Sequence, residues 1–312
     1  MEKPSETAQD EQNDCMYSWR VTGIEAALSE RGLSDGALTV QDLTELGHLD
    51  QYHYYGTDAC DEAIAVLGLD ESRQLLDIGS GIGGPARYSA AETGCHVHGI
   101  EVRPELVEAA RDLTERVGAA DRVRFTTGSI NDVSLEANKY DNMIAWLVLL
   151  HLTDRPAVLA KCQNALRPGG TAFVEAFVTN DPSTRNLRRL QDIVEAPEPV
   201  SEATLRDEFR TAGFVDIVTC DLTDAWTRWT DIRYDQFQTR QQQFVDLHGR
   251  EIYDHRVEFY RTVRDLFADG AVRGIRLTAR APGSNPLPLS NRQQTTLSDR
   301  DPAAILESAD SD

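Results

Sequence analysis

The chain has 312 residues, 40% of them hydrophobic and 27% charged, which is typical of a globular protein large enough to bury a sizeable core. Its formal net charge of −21 opposes binding to nucleic acid or to an anionic membrane surface, because the summed field repels phosphate groups. Its five cysteines are scattered without a C-x-x-C pair, which argues against a disulfide framework or a metal site.

Both ends of the chain, residues 1–16 and 283–312, are rich in polar residues and have little apolar surface, so we predict two disordered tails. The first of these is acidic, whereas a signal peptide is basic and then apolar. No run in the chain approaches the roughly 18 apolar residues of a membrane span. We therefore expect a cytoplasmic protein with no membrane partner. We also expect residues 17–69, which follow the first tail, to form an N-terminal helical cap.

Short apolar runs then alternate with helical stretches, which is the pattern of parallel strands crossed by helices. Helices are predicted over residues 85–93, from Pro104 to Gly118, and over residues 201–213. Strands are predicted at residues 74–78, 95–101, 122–127, 140–146, 171–178, 214–220 and 274–280. We expect an α/β fold with a Rossmann-like, seven-stranded, mostly parallel sheet and helices on both faces, its core spanning residues 70–222 with a last core strand in residues 271–282.

The segment before the last strand, residues 223–270, has a helical pattern and many aromatic side chains, and we predict a helical lid over the active site. Aromatic rings suit an amine or quaternary ammonium through cation–π attraction, but they equally suit an apolar substrate or ordinary helix packing. The residues concerned are Trp226, Trp229, Arg233, Tyr234, Phe237, Tyr253, Phe259 and Tyr260.

The loop after the first strand, LLDIGSGIGGPAR at residues 75–87, fits two nucleotide-binding patterns. Its glycines match G-x-G-x-x-G, the dinucleotide fingerprint, and also D-x-G-x-G-x-G, the loop used for S-adenosylmethionine. Both ligands require an acid at the tip of the second strand for the ribose hydroxyls, and Glu101 has that position. Asp77 favours S-adenosylmethionine, because a carboxylate attracts an ammonium group and repels a pyrophosphate.

Five segments, LLDIGSGIGG, GIEVRPELVEAAR, GSIND, YDNMIAWLVLLHL and LRPGGTAFVEAF, follow one another in an order and spacing that are specific. Over roughly residues 45–282 the chain thereby resembles the class I S-adenosylmethionine-dependent methyltransferases that act on small molecules, such as the phosphoethanolamine, sarcosine/dimethylglycine and sterol or tocopherol types. The resemblance implies S-adenosyl-L-methionine as the cofactor. It implies the cofactor-binding residues Asp77, Gly79, Ser80, Gly81 and Gly83 in the loop, Glu101 on the ribose, Ser129 and Ile130 beside the adenine, and Trp146.

His151 lies just beyond the fourth predicted strand, at the edge where ligands bind in open α/β sheets, and it is the candidate catalytic base. A histidine packed under the sheet is the alternative. The aromatic segment HLDQYHYYGTDA, residues 48–59, resembles the segment that closes over the cofactor in related enzymes. We predict that Tyr52, His53 and Tyr54 touch the substrate, with a tyrosine hydroxyl of this segment near His151. Simple packing on the core is the alternative for this segment.

The predicted function is methylation of a small molecule, most simply an amine, by a monomer or homodimer, with His151, Tyr52 and Tyr54 as catalytic residues. One alternative is carbon methylation of a prenyl or sterol-like substrate. Another is a non-catalytic adenosyl-nucleotide-binding regulator. An NAD-dependent reductase requires a Tyr-x-x-x-Lys pair. The residues four positions before Lys139 and Lys161 are Leu135 and Ala157, so this pair is absent and the sequence argues against a reductase.

Overall fold

The computed structural model describes residues 17–283 and 297–307. The sheet has seven strands, in the order β3-β2-β1-β4-β5-β7-β6. The four pairs that join β1 to β5 are parallel, and β7 runs antiparallel to both β5 and β6, which confirms the predicted fold class. The strands are β1 (Gln74–Ile78), β2 (His96–Glu101), β3 (Val123–Thr127), β4 (Tyr140–Trp146), β5 (Leu166–Thr179), β6 (Val215–Asp221) and β7 (Val272–Arg280).

The helices cover both faces of this sheet, and several begin at the residues that favour a helix start. Ser201 accepts a hydrogen bond from the Thr204 backbone N–H at 3.2 Å and caps a helix, as its position in the sequence predicts. The helices are α1 (Trp19–Glu30), α2 (Val40–Thr44), α3 (Gly56–Leu67), α4 (Gly84–Thr93), α5 (Pro104–Arg116), α6 (Arg155–Ala165), α7 (Thr184–Asp192), α8 (Glu202–Thr211), α9 (Thr223–Thr239), α10 (Gln241–His248), α11 (Arg250–Ala268) and α12 (Pro302–Glu307).

Strand β5 begins five residues earlier than its sequence pattern predicts. Tyr140 of β4 pairs with Leu166, and Asn142 pairs with Thr171, so residues 167–170 bulge out opposite a single residue. These residues are the RPGG stretch, whose proline lacks a backbone donor and whose glycines tolerate unusual backbone angles. The predicted turn is therefore a bulge within the strand.

Helices α9, α10 and α11 are inserted between β6 and β7, and we call them the inserted helices. Trp226 and Trp229 of α9 are fully buried, and they contact Tyr54, Phe177 and Phe267 in one hydrophobic cluster. These two tryptophans are thus core residues that hold the insertion against the sheet. Among the residues that the structure describes, no helix is long and apolar enough to span a membrane.

The segment 297–307 contradicts part of the predicted C-terminal tail. Leu297 is completely buried and Leu306 is 6% exposed, both in the cluster that contains Tyr55 and Trp229. The prediction is wrong here because Leu297, in a 3-10 turn, and Leu306, on helix α12, bury enough apolar surface to fix the segment, although the tail as a whole is polar. The predicted tail residues 1–16, 284–296 and 308–312 lie outside the described residues, and the division into cap, core and lid stays a prediction.

Candidate functional site

A cavity of about 480 Å³ opens at the carboxyl ends of the parallel strands. Ligands bind at this edge in open α/β sheets, because the loops that leave the strands diverge there. Side chains from residues 17–54 and from the inserted helices also line it. Eleven of the twelve predicted site residues line it: Tyr52, Tyr54, Asp77, Gly79, Ser80, Gly81, Glu101, Ser129, Ile130, Trp146 and His151.

Gly83 is the predicted residue that does not line the cavity. Its φ of +78° places it in the left-handed region, and a Cβ there would collide with the ring of Phe125. Gly83 therefore shapes the loop from behind and does not touch a ligand in the cavity. Gly79 faces the cavity with a φ of +69°, and a Cβ on it would lie 2.5 Å from Val148 Cγ2.

Two buried carboxylates stand beside the glycine loop. Glu101 accepts hydrogen bonds from the backbone N–H groups of Gly81 and Arg103, each at 3.0 Å. Asp77 is only 1% exposed, and its Oδ1 has no hydrogen-bond partner within the described part of the chain. Burial, and to a lesser extent the charge of Glu101, raise the pKa of Asp77 to about 7. An unpartnered carboxylate oxygen of this kind fits the ammonium group of a ligand.

Ser129 and Ile130, which are predicted to lie beside the adenine, and Trp146 also line the cavity. The Ser129 hydroxyl accepts from the Asn131 backbone N–H at 3.2 Å, so it also orders its own turn. The Trp146 ring lies 4.3 Å from the His53 ring, and its Nε1 is buried without a partner among the described residues. Burial lowers the pKa of His53 to about 3, so this histidine is neutral, and it lines the cavity beside Trp146.

His151 sits at the end of a short 3-10 turn after β4, and both ring nitrogens are engaged. Nδ1 lies 2.9 Å from the backbone carbonyl of Glu195, and Nε2 lies 3.2 Å from the hydroxyl of Tyr17. A carbonyl only accepts, so Nδ1 carries the proton and Nε2 accepts from Tyr17. Burial and the charge of Arg103 lower the pKa of His151, which keeps the ring neutral at pH 7.

A tyrosine hydroxyl does lie beside His151, as predicted, but it comes from a different segment of the chain. The predicted source was a tyrosine of residues 48–59, whereas the hydroxyl belongs to Tyr17, next to the predicted N-terminal tail. A signal was present in the sequence, since Tyr17 and Trp19 stand just before and at the start of α1. Burial raises the pKa of the Tyr17 phenol, so Tyr17 is a proton donor at neutral pH.

Tyr52 and Tyr54 both reach the cavity, but their surroundings differ. The Tyr52 ring lies under the guanidinium of Arg20, 4.5 Å from it, and its hydroxyl accepts from Arg256 Nη1 at 3.2 Å. Tyr54 packs edge-on against Trp226 at 4.9 Å in the hydrophobic cluster. Burial raises the pKa of Tyr52 to about 12 and also raises that of Tyr54, so neither phenol acts as a base near neutral pH.

Comparisons with known proteins agree on one family for this architecture. A family model described as a methyltransferase domain matches residues 75–170. The chain is 23% identical over 195 residues to a phosphoethanolamine N-methyltransferase of Plasmodium falciparum, covering 62% of this chain and 72% of that protein. It is 27% identical over 246 residues to a sterol 24-C-methyltransferase of Gibberella zeae, covering 68% of this chain and 64% of the relative.

A solved methyltransferase structure has the same fold as this chain. The phosphoethanolamine N-methyltransferase 2 of Haemonchus contortus, in complex with phosphomonomethylethanolamine and S-adenosylhomocysteine, superposes with a TM-score of 0.68 at 18% identity. The match covers 83% of this chain and 60% of that one. At this identity the likeness concerns the fold, and the acceptor has to be argued from the side chains of this cavity.

Proposed function

Since the chain belongs to the class I S-adenosylmethionine-dependent methyltransferases and S-adenosylmethionine is its cofactor, we propose that it methylates the amine nitrogen of a small molecule. One observation carries the proposal: a neutral His151 whose Nε2 meets the Tyr17 hydroxyl at the cavity wall. An amine is protonated at neutral pH and has to lose a proton before its nitrogen can attack, so the reaction needs a base.

The residues that hold the cofactor follow from the fit of their chemistry. The glycine loop leaves room for a ligand against the backbone, Glu101 presents a carboxylate for hydroxyl groups, and the unpartnered Oδ1 of Asp77 suits an ammonium. Bound there, S-adenosylmethionine supplies a methyl group activated by the sulfonium charge. The contribution of the protein is to hold the acceptor in line and to exclude water, which sets most of the rate in a displacement.

Tyr17 and His151 move the proton. The Tyr17 hydroxyl donates to His151 Nε2 and can accept a proton from the acceptor nitrogen in return, so that the pair relays one proton to the imidazole. The Glu195 carbonyl holds the other ring nitrogen in its protonated form, which fixes the tautomer in which Nε2 is the acceptor. We also propose that the inserted helices form the lid over the acceptor, since Arg233, Phe259 and Tyr260 line this side.

A second candidate is carbon methylation of an apolar acceptor, and the apolar part of the wall favours it. Leu150, Phe177, Val194, Phe259 and Val263 face the cavity. One relative is named as a phosphoethanolamine N-methyltransferase and the other as a sterol 24-C-methyltransferase, so relatives of both kinds exist. The proton relay favours the amine, because an apolar carbon acceptor offers no acidic proton before methyl transfer.

A screen with labelled cofactor separates the two candidates. We expect labelled methyl groups to appear on small amines such as ethanolamine, phosphoethanolamine or sarcosine, and none on geranyl diphosphate or a sterol. Tyr17→Phe keeps the ring and removes the relay, so it should lower turnover on the amine about 10- to 100-fold. Label on the prenyl or sterol acceptor alone would contradict N-methylation.

Cofactor affinity is expected to depend on pH through Asp77. Its pKa of about 7 means that the carboxyl is neutral below pH 7, whereas an ammonium group prefers the carboxylate. Binding of S-adenosylhomocysteine should therefore strengthen as the pH rises from 5 to 7, by at most about tenfold per pH unit, and level off above pH 7. Because the pKa of Asp77 in the folded protein is raised above its ordinary value of 3.8, this carboxyl also makes the free protein less stable as the pH rises through the same interval.

Calorimetry across this pH range checks the dependence. Asp77→Asn should remove the slope and weaken binding at pH 8, whereas the exposed Asp132→Asn should leave both unchanged. An unaltered slope in Asp77→Asn would assign the titration to another group.

A further inference from the structure

Three arginines converge on one corner of the cavity, and all three are buried. Arg20, Arg233 and Arg256 are 4%, 8% and 0% exposed. They surround two phenols, Tyr52 and Tyr260. The guanidinium carbon of Arg233 lies 5.8 Å from the centre of the Tyr52 ring and 4.4 Å from that of Tyr260. We call these five residues the arginine corner.

Arg233 differs from three other buried arginines, each of which pairs with a carboxylate. Arg87 pairs with Asp50 at 2.6 Å, Arg276 with Glu175 at 2.7 Å, and Arg155 with Glu208 at 2.9 Å. Within the described residues no carboxylate pairs with Arg233. Its Nη2 donates to the Tyr260 hydroxyl at 2.5 Å, and its Nε has no hydrogen-bond partner there.

A buried guanidinium without a counter-charge is costly, because desolvation is not offset by an ion pair. The cost is tolerated where a ligand supplies the missing charge, and Arg233 faces the cavity. The guanidinium fork also matches the oxygens of a carboxylate or a phosphate in a bidentate way.

The neighbouring groups show that the corner is electropositive. Burial lowers the pKa of His48 well below its usual value, and the charges of Arg233 and Arg20 lower it further. Burial alone would raise the pKa of Tyr260, but Arg233 and Arg256 outweigh it and lower the pKa. A cationic ligand group would be repelled here, and the face of each phenol is already covered by a guanidinium.

We propose that the arginine corner binds the anionic group, a carboxylate or a phosphate, of the acceptor whose amine is methylated. The inference rests on the proposed amine methylation and narrows its substrate to a zwitterionic amine. The Tyr52 ring lies between the arginine corner and the proton relay. Its centre is 5.8 Å from the guanidinium carbon of Arg233 and 5.9 Å from the ring centre of Tyr17, whose hydroxyl bonds to His151. One small molecule can therefore place its anion at Arg233 and its nitrogen at the Tyr17–His151 pair.

Binding of simple anions tests the site without turnover. The full chain, saturated with S-adenosylhomocysteine, is titrated with inorganic phosphate and with acetate in a calorimeter. We expect at least one of them to bind, and Arg233→Gln to weaken that binding tenfold or more. Arg233→Lys keeps the charge and should recover part of it, which also covers a failure of Arg233→Gln to fold. The tighter of the two anions identifies the phosphate or carboxylate class.

Arg250→Gln is the matched control, because Arg250 is an exposed arginine of α11 that pairs with Asp254 at 3.8 Å. It should bind the anion like the unaltered chain, and every variant should keep its affinity for S-adenosylhomocysteine. The proposal is overturned if neither anion binds, or if Arg233→Gln binds as tightly as the unaltered chain. Anion binding in a chain that methylates no amine would support the corner and contradict the proposed methyl transfer.

Discussion

His151→Ala is expected to lose about 10²- to 10⁴-fold in kcat while its affinity for S-adenosylhomocysteine stays within about twofold. The loss follows from removing the nitrogen that accepts the Tyr17 proton. Affinity is spared because the groups that suit the cofactor, Asp77 and Glu101, lie on β1 and β2. Turnover of the best acceptor from the amine screen and calorimetry measure the two quantities separately.

The pH profile gives the same residue a second test. Burial lowers the pKa of His151, so the ring is neutral and active as a base above that pKa, which lies below 6.5. We expect the contribution of His151 to kcat/KM not to change with pH above this value, and to fall tenfold per pH unit below it. His96→Ala is the control, because His96 lies at the end of β2 away from Glu101 and the cavity, and this variant should leave the profile unchanged. Full activity in His151→Ala would remove the base from the mechanism.

The sheet, the glycine loop and the acid at the tip of β2 could all be predicted from the sequence. Each depends on local order: a strand of buried apolar residues, a loop whose glycines adopt positive φ, and an acid at a fixed spacing. Spacing of this kind survives at low identity because the backbone of the β-α-β unit requires it.

The partners of His151 could not be predicted in the same way. Tyr17 is 134 residues away in the sequence, and the Glu195 carbonyl, whose residue has a φ of +57°, belongs to an irregular segment after α7. Neither contact has a local pattern, because each depends on how two distant segments pack over the sheet. Tyr52 and Tyr54 of the aromatic segment 48–59 line the same cavity, but the hydroxyl that bonds to His151 is that of Tyr17.

The roles of the aromatic and arginine side chains in the inserted helices could not be predicted from the sequence either. Their aromatic residues were compatible with a cationic ligand, an apolar ligand or core packing, and the structure divides them. Trp226 and Trp229 are core, whereas Tyr260 lies against Arg233. The sequence does not show which arginines have a carboxylate beside them. Arg276 pairs with Glu175, whereas Arg233 has no such partner among the described residues.

Gly79→Ala is expected to abolish measurable binding of S-adenosylhomocysteine, a loss of at least about 100-fold. The residue has a φ of +69°, which costs roughly 1–2 kcal/mol for any residue with a Cβ. The added Cβ would also lie 2.5 Å from Val148 Cγ2 and 2.9 Å from Val148 Cβ, so the loop or the segment after β4 has to move. Either movement displaces backbone that lines the cavity, because Val148 and Gly79 both face it.

Gly118→Ala separates backbone strain from this collision. Gly118 has the same φ of +69° but nothing within 4 Å of an added Cβ, so it should lose stability of the same order without losing cofactor affinity. Val148→Ala in the Gly79→Ala background removes the 2.5 Å contact and leaves the 2.9 Å contact, so affinity should return in part. If the double variant binds no better than Gly79→Ala, backbone strain alone accounts for the loss. If Gly79→Ala binds normally, the cofactor does not depend on close approach to this loop.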